Sequence, residues 1–286
     1  MWAMTGHCAY SYECDRWKTG CGLCPHLDEY PRLKRDTSAL LWNVKDWVYQ
    51  RSRLTIVAPS NWLASLARQS PLLNRFPIHL IPNGLDLTVF RPIPKPLARE
   101  RLGLGPTGRV ILFSAASITL ERKGGRLLQQ ALACLNSTEF GDVTLLVMGA
   151  EDTKWPGSTS YKTKTLGYVE SDEALAIVYS AADLFVLPTL AENLPNGILE
   201  SMACGTPVLS FHVGGVPDAV RHLETGYLAP LADAEELANG LKMLLRDSTL
   251  RERMGRRSRE IAEAHYPLDL QTARFLSLYQ DVVVRG

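Results

Sequence analysis

The sequence has no long apolar run and no excess of charge of either sign. It carries 31 basic and 30 acidic side chains in 286 residues, and no stretch of about 18 uncharged apolar residues occurs, as a membrane-spanning helix needs. The balanced charge gives no indication of nucleic-acid binding. The amino end lacks a basic region followed by an apolar stretch and a cleavage site. We therefore expect a soluble, cytoplasmic protein, with enough hydrophobic residues for one large or two medium domains.

Cysteine is scarce over most of the chain. Cys134 and Cys204 stand alone in helical patterns and are interpreted as small core residues. The other four cysteines all lie near the amino end: Cys8, Cys14, Cys21 and Cys24. Thiolates with a C-x2-C pair can converge on a tetrahedral ion, so these four allow a structural zinc site. A disulfide cluster is the alternative, and it needs an oxidising compartment that nothing in the sequence indicates.

From Arg53 onward, short apolar runs alternate with helical patterns, which predicts parallel sheets with helices on their faces. Ser60 is predicted to cap the helix "NWLASLARQ", and "SDEALAIVYSAA" opens with a helix-start signal. The predicted strands are "RLTIVAPS", "IHLIPNG", "RVILFSAA", "VTLLVMGA", "DLFVLPT", "TPVLSF" and "GYLAPL". The later part of the chain is therefore expected to be a doubly wound α/β domain.

Three prolines, Pro92, Pro94 and Pro96, disfavour regular structure and indicate an interdomain linker. We expect an amino-terminal domain over residues 1–93 and a doubly wound domain over residues 94–265. Residues 266–286 are expected to form a helix that packs back toward the amino-terminal part. Only about two β-α units precede the linker, fewer than a nucleotide-binding Rossmann half needs, so the first domain is expected to be incomplete.

Ligands of open parallel sheets bind at the carboxyl ends of the strands, where the loop "SITLERKGG" is predicted to lie. It places Arg122 and Lys123 before two glycines that let the backbone approach a ligand closely. The helix that begins near Gly125 adds the positive end of its dipole. The loop is a candidate diphosphate cradle, and a solvated basic turn is an equally weighted alternative.

The loop "TLAENLPNG" follows another predicted strand and holds Glu192, which is expected in the cleft. Asn196 opens the next helix, which is expected to carry Glu200 in its first turn. A carboxylate there suits the two hydroxyls of a ribose. The alternative is that Glu200 only complements the helix dipole. A third loop, "HVGGVPDAV", has paired glycines before Pro217 and is either a phosphate or sugar contact or a simple turn.

Glu192 and Glu200 form an E-x7-E pattern, and "RKG", "ESMACGTPVLS", "GGVPD" and "IPNGLDLTVF" accompany it. In this combination the sequence resembles retaining glycosyltransferases of family 4, which have the GT-B fold, from about Arg53 to the end. The amino end, "MWAMTGHCAYSYECDRWKTGCGLCP", resembles a cysteine-bearing segment in a subset of these enzymes associated with bacterial exopolysaccharide assembly. The resemblance implies a donor domain and an acceptor domain, both Rossmann-like.

The resemblance also implies roles for individual residues. Glu192 would lie near the transferred sugar, and Glu200 would hold the nucleotide ribose. The backbone N–H groups of Asn193 and Leu194 would bind sugar hydroxyls.

The same resemblance makes Lys123, helped by Arg122, the group that neutralises the diphosphate as it leaves, with no metal ion required. Val169 falls where the family packs the base. Many relatives have the arginine of a Gly-Arg pair where this chain has Ser117. One diphosphate contact is therefore expected to be missing or to be supplied by Arg122.

Relatives place a glycine-rich acceptor loop, several β-α units and a cleft histidine before the Met-Trp that corresponds to Met1-Trp2. We expect a complete donor half, with residues 1–93 as a remnant of a truncated acceptor half. A fragment, a start assigned to an internal methionine and a truncated gene all fit this expectation.

The expected activity is transfer of a sugar from a nucleotide-diphosphate sugar, with retention, to a saccharide or lipid-linked saccharide acceptor. A lipid-linked acceptor would bring peripheral contact with the cytosolic face of the inner membrane. A nucleotide-sugar epimerase or phosphorylase of the same architecture is one alternative. A remnant that binds nucleotide sugar without turnover is the other.

Overall fold

The computed structural model describes residues 1–29, 31–115, 120–149 and 161–285. The chain divides into two compact units, Met1–Pro82 and Asn83–Gly286. The division falls between Pro82 and Asn83, so the proline-rich stretch that was expected to link the domains belongs to the second unit.

The first unit contains α1 (Ser38–Tyr49), β1 (Ile56–Ala58), α2 (Asn61–Gln69) and β2 (Ile78–Leu80). Among its described residues the strands form one parallel pair, with Ile56 opposite Ile78. The predicted cap is confirmed, because the Ser60 hydroxyl accepts a hydrogen bond from the N–H of Leu63 at 3.1 Å. This unit is a small parallel α/β element.

The second unit is built around a parallel sheet, and over its described residues the strands follow the order β5-β4-β3-β6-β7-β8. The strands are β3 (Arg109–Ala115), β4 (Val143–Gly149), β5 (Lys162–Gly167), β6 (Leu184–Leu187), β7 (Val208–Phe211) and β8 (Gly226–Ala229). The helices are α3 (Lys95–Arg101), α4 (Gly125–Ala133), α5 (Ser137–Phe140), α6 (Asp172–Ala181), α7 (Asn196–Ala203), α8 (Val216–Ala219), α9 (Ala234–Arg246), α10 (Ser248–His265) and α11 (Leu268–Arg285). The strand order reverses direction between β3 and β6, which confirms the doubly wound topology.

Both faces of this sheet are covered, which explains why its central strands are continuously apolar. Successive residues of β3 alternate between two cores: Ile111 and Phe113 pack in one, and Leu112 packs in the other. The first core also takes four leucines of α9 that recur at helical spacing, namely Leu237, Leu241, Leu244 and Leu245. The two cores hold β3 and β6 side by side.

Helix α3 lies in the stretch where three prolines were predicted to disfavour regular structure, and that prediction is wrong. Pro96 lies at the start of α3, where a backbone N–H has no partner within the helix and its loss costs little. The helix carries Arg99, which is buried and ion-paired to Asp183 at 2.6 Å. Lys95 contacts the other oxygen of Asp183 at 2.6 Å. This buried cluster fixes α3 to the start of β6.

Cys204 is buried as predicted, whereas Cys134 is exposed at the end of α4, so its assignment to the core is wrong. Across the part of the chain that the structure describes, none of the helices combines the length and apolarity needed to cross a membrane.

Candidate functional site

The loops that follow β3 and β6 meet at the point where the strand order reverses. In open parallel sheets this point is where ligands bind, outside the carboxyl ends of the strands. The loop after β3 ends in a short 3-10 helix, Glu121–Lys123, and the loop after β6 leads into α7. The predicted basic and acidic residues are therefore brought together from distant parts of the chain.

Glu192 is the centre of a compact charge cluster. Its Oε1 atom accepts hydrogen bonds from Lys123 Nζ at 2.5 Å and from Arg122 Nη1 at 2.8 Å. Arg122 also donates to the carbonyl oxygen of Ala191 at 2.9 Å. The Glu192 side chain is 12% exposed, and both cationic side chains are partly buried. Two cations share one carboxylate, so the cluster keeps a net positive charge in a partly desolvated place.

Two glycines let the loops approach one another. Gly124 has φ 69°, and a Cβ atom there would lie 1.7 Å from the carbonyl oxygen of Pro188. Gly214 has φ 55°, and a Cβ atom there would lie 1.9 Å from the carbonyl oxygen of Glu192. Any larger residue would strain the backbone and push the Glu192 loop away. The first glycine of each pair, in "RKGG" and in "VGG", is thus required by the shape of the site.

Backbone hydrogen bonds connect the loops directly. The N–H of Leu190 donates to the carbonyl oxygen of Arg122 at 2.8 Å, and the hydroxyl of Thr189 donates to the same oxygen at 3.1 Å. On the other side, the N–H of Gly215 donates to the carbonyl oxygen of Glu192 at 3.4 Å. The loop that carries Glu192 is therefore fixed by both of its neighbours.

A cavity of about 420 Å³ opens beside the charge cluster, and Lys123, Glu192 and Leu194 all line it. Asn83 and Asn196 also line it, and the Asn83 amide donates to the side-chain oxygen of Asn196 at 2.8 Å. The sequence interpretation gave Asn83 no role, although its segment "IPNGLDLTVF" was part of the recognised pattern. The contact that brings it to the cavity is long-range, and no local pattern predicts it.

Glu200 is held differently from the sequence expectation. Helix α7 begins at Asn196 and has no acidic residue in its first turn, so the placement of Glu200 there is wrong. Its Oε2 atom instead accepts a hydrogen bond from the hydroxyl of Tyr179, a buried residue of α6, at 2.8 Å. Complementing the helix dipole consequently does not explain this glutamate.

Burial raises the pKa of Glu200, the hydrogen bond from Tyr179 opposes this rise, and nearby Asp172 adds to it. Burial also raises the pKa of Tyr179 far above its ordinary value, and Glu200 adds to that rise. The tyrosine therefore stays protonated and donates. Tyr179 is a second site residue that the sequence interpretation missed.

The remaining predicted residues are less closely tied to the cluster. Asn193 is partly buried within the Glu192 loop. Val169, which was assigned to the base, is partly buried and packs against the core on the α6 and α7 side of the sheet. Ser117 lies outside the described residues. These three assignments stay predictions.

The four cysteines proposed for zinc lie in the first unit and line one cavity there. Among the described residues, no group of three or more His, Cys, Asp or Glu side chains is placed so that it could hold a metal ion. Zinc binding stays a prediction at this point.

The described structure resembles known glycosyltransferases. Sucrose-phosphate synthase from Thermosynechococcus elongatus matches with a TM-score of 0.73 and 25% identity, over 88% of this chain and 63% of that chain. Anabaena HepE in complex with UDP-glucose matches with a TM-score of 0.69 and 20% identity, over 85% of this chain and 68% of that chain. The fold is the parallel α/β architecture of GT-B glycosyltransferases, and the predicted fold class is confirmed.

Residues 108–247 match the family described as Glycosyl transferases group 1. The matched segment includes Lys123, Glu192 and Glu200. A curated relative, the D-inositol 3-phosphate glycosyltransferase of Segniliparus rotundus, is 35% identical over 161 residues, or 53% of this chain. The match spans 35% of that relative's length.

Proposed function

We propose that this protein is a retaining glycosyltransferase that moves a sugar from a nucleotide-diphosphate sugar to a saccharide or lipid-linked saccharide acceptor. The observation that carries the proposal is the convergence of Lys123 and Arg122 on Glu192 at the switch point of the sheet. The match of residues 108–247 to a glycosyl transferases group 1 domain supports it. Anabaena HepE, of the same fold, is described with UDP-glucose, which supports a nucleotide-sugar donor.

The chemistry follows from where charge develops. When the bond between sugar and diphosphate breaks, negative charge grows on the leaving phosphate oxygen. Lys123 and Arg122 supply two positive charges that are already positioned, so the charge is stabilised without reorganisation. We propose that these cations serve in place of a metal cofactor for the transfer step.

Glu192 holds both cations in place before the donor binds. Once the diphosphate occupies the cluster, the cations are shared, and the Glu192 carboxylate is free to act near the transferred sugar. A same-face displacement is the proposed route: the departing phosphate oxygen accepts the proton of the incoming hydroxyl, and the anomeric configuration is retained. The backbone N–H groups of Asn193 and Leu194 are proposed to bind the sugar hydroxyls.

The ribose is assigned to Glu200. An ionised carboxylate is an acceptor-only group that can take hydrogen bonds from both ribose hydroxyls. Tyr179 occupies Oε2 of Glu200 at 2.8 Å and so fixes the orientation of the remaining oxygen. We assign Tyr179 as a positioning residue that acts through Glu200, and Val169 as the residue that packs against the base.

The biological setting is proposed from the sequence resemblance. Assembly of a bacterial polysaccharide suits the cysteine-bearing amino end, and a lipid-linked acceptor would place the protein at the cytosolic face of the inner membrane. The curated relative acts, by its name, on D-inositol 3-phosphate, so a phosphorylated cyclitol belongs in any acceptor screen beside the saccharides.

The test is a transfer assay with the purified chain, a panel of nucleotide-diphosphate sugars and the acceptors above. The expected result is release of nucleoside diphosphate that depends on acceptor, with a product whose anomeric configuration by NMR equals that of the donor. An inverted product would overturn retention. An isomerised donor without a new glycosidic bond would identify an epimerase, phosphate-dependent cleavage would identify a phosphorylase, and binding without any turnover would identify the binding remnant.

A further inference from the structure

Four cysteines and one histidine of the first unit surround a single small cavity. Its lining includes His7 together with all four cysteines of the amino end, which are Cys8, Cys14, Cys21 and Cys24. The cavity measures about 10 Å³, which is space for one water-sized particle. Thiol and imidazole groups are the ligands that zinc prefers, and a cavity of this size suits a single ion.

His7 provides an independent indication of a ligand. Its side chain is 3% exposed, and its Nε2 atom lies 3.0 Å from the carbonyl oxygen of His26. A carbonyl oxygen only accepts, so Nε2 carries the proton, and Nδ1 of the neutral ring has an open lone pair. That Nδ1 atom is buried and has no hydrogen-bond partner among the residues that the structure describes. Histidines that bind a metal through one ring nitrogen commonly donate the N–H of the other to a backbone carbonyl, and His7 has the same arrangement.

The backbone around the C-x2-C pair is shaped in an unusual way. Cys21 has φ 58° and Leu23 has φ 47°, both in the left-handed region, with Gly22 at φ 89° between them. Non-glycine residues take this conformation at a cost, and they keep it where surrounding structure requires it. The N–H of Gly6 donates to the sulfur of Cys21 at 3.2 Å, which stabilises negative charge on that sulfur.

A cationic side chain lies near the cavity. Lys45 lies within electrostatic reach of the Cys8 and Cys21 thiols, and its ammonium donates to the carbonyl oxygens of Trp2 at 2.6 Å and Thr5 at 2.8 Å. It can offset the negative charge of a multi-thiolate site.

We propose that this cavity binds one zinc ion through His7 Nδ1 and three of the four thiolates, as a structural site. Within the part of the chain that the structure describes, the cysteines are free thiols and are not gathered into a set of metal ligands. Metal binding requires their side chains to rearrange toward His7 Nδ1, with loss of the thiol protons. The site lies in the first unit, and the zinc proposal does not depend on the proposed donor site.

Cobalt(II) is the probe, because a tetrahedral site with thiolate ligands gives intense visible bands and a near-ultraviolet thiolate-to-cobalt charge-transfer band. The reduced full chain, stripped of metal, is expected to bind one cobalt ion, and zinc is expected to displace it. The double variant Cys21→Ser/Cys24→Ser should lose the charge-transfer band, and His7→Ala should release zinc to a chelator at least about tenfold faster. The matched control is Cys134→Ser, which removes an exposed cysteine of the second unit and should change neither result.

A wild-type chain that binds less than one cobalt ion, or binds it without the charge-transfer band, would overturn the proposal. Disulfides among the four cysteines in the protein as purified, before any metal is removed, would also overturn it. Thermal unfolding of the wild type with and without a chelator needs no variant, so it covers the case of a misfolded variant. A clearly lower midpoint with chelator is expected, and an unchanged midpoint contradicts a structural role.

Discussion

Lys123 Nζ lies 2.5 Å from Glu192 Oε1, and this one oxygen also accepts from Arg122 at 2.8 Å. The residues come from loops that follow different strands, β3 and β6, and they meet only because those strands are neighbours. The cations are thus held in place by a carboxylate that competes with any phosphate for them.

Replacing Glu192 by Gln should separate binding from transfer. Freed from the carboxylate, Lys123 and Arg122 should bind a nucleoside diphosphate about two- to fivefold more tightly, since a partly exposed ion pair contributes up to about 1 kcal/mol. Transfer should fall by at least about a hundredfold if the carboxylate acts near the reacting sugar. Calorimetry and turnover measure the two effects, with the exposed Glu139→Gln as control. Undiminished transfer in Glu192→Gln would remove its proposed role.

Replacing Gly214 by Ala tests whether the loop contact positions Glu192. Gly214 and Gly141 share φ 55°, but a Cβ at Gly214 would meet the Glu192 carbonyl oxygen at 1.9 Å, whereas a Cβ at Gly141 would meet no described atom within 4 Å. Both variants should lose about 1 kcal/mol of stability from backbone strain, and Gly214→Ala should lose more because of the added clash. Only Gly214→Ala should also lower donor turnover. Equal turnover in the two variants would mean that the loop contact does not matter.

Glu200 should make donor binding depend on pH. Burial raises its pKa, so the carboxyl is partly protonated just above its ordinary range, and ribose binding should strengthen as pH rises through the folded pKa. The folding stability should change in the opposite sense. A carboxyl group whose pKa is raised by folding contributes stability below its unfolded-state pKa, and this stability is lost as pH rises through its folded-state pKa. Glu200→Gln should flatten both profiles.

Tyr179→Phe removes the hydrogen bond that opposes the rise in the pKa of Glu200. The pH at which ribonucleotide binding strengthens should therefore move upward. Preference for ribonucleotide over 2′-deoxynucleotide should fall, measured as the ratio of the two dissociation constants. A purely structural role for Tyr179 would weaken both nucleotides equally and leave that ratio unchanged.

Replacing Asp183 by Asn should unfold the second unit more easily. Burial opposes ionisation of Asp183, but Lys95, the N–H of Val110 and Arg99 together outweigh burial and lower its pKa. Asp183→Asn leaves buried Arg99 without its charge partner and should cost about 3–5 kcal/mol of unfolding free energy. The exposed pair Lys162–Asp142 provides the control, since Asp142→Asn should change stability by less than about 1 kcal/mol. Chemical denaturation measures both.

The same cluster should control acid stability. A carboxyl group whose pKa is lowered by folding contributes stability above its unfolded-state pKa, and this stability is lost as pH falls through its folded-state pKa. The wild type should therefore lose stability on acidification below the ordinary aspartate range, and Asp183→Asn should lose less over that interval. Parallel acid profiles for the two proteins would show that Asp183 does not carry this linkage.

The apolar central strands could be predicted from the sequence, since β3, β4, β6 and β7 are continuous hydrophobic runs buried on both faces. Strand β5 was missed because "KTKTLG" alternates lysine and threonine at the sheet edge, which resembles a polar loop. Helix α3 was missed because prolines were taken to exclude a helix, although Pro96 lies where a helix accepts it.

The candidate site was predictable in part for a similar reason. Lys123, Arg122 and Glu192 carry charges in loops beside glycines, and strand order brings such loops together. The partners Tyr179 and Asn83 carry no such mark, because their roles arise from long-range contacts with Glu200 and Asn196. Packing of distant segments decides those contacts, and local pattern does not.

The charge cluster at the carboxyl edge of the sheet is proposed to be a nucleotide-diphosphate donor site. Calorimetric titration of the purified chain with uridine, guanosine and adenosine diphosphates tests this proposal, with Lys123→Ala compared against Lys162→Ala. At least one nucleotide should bind, Lys123→Ala should weaken that binding at least about tenfold, and Lys162→Ala should have no effect. Absence of binding by all three nucleotides, or equal binding in the two variants, would contradict it.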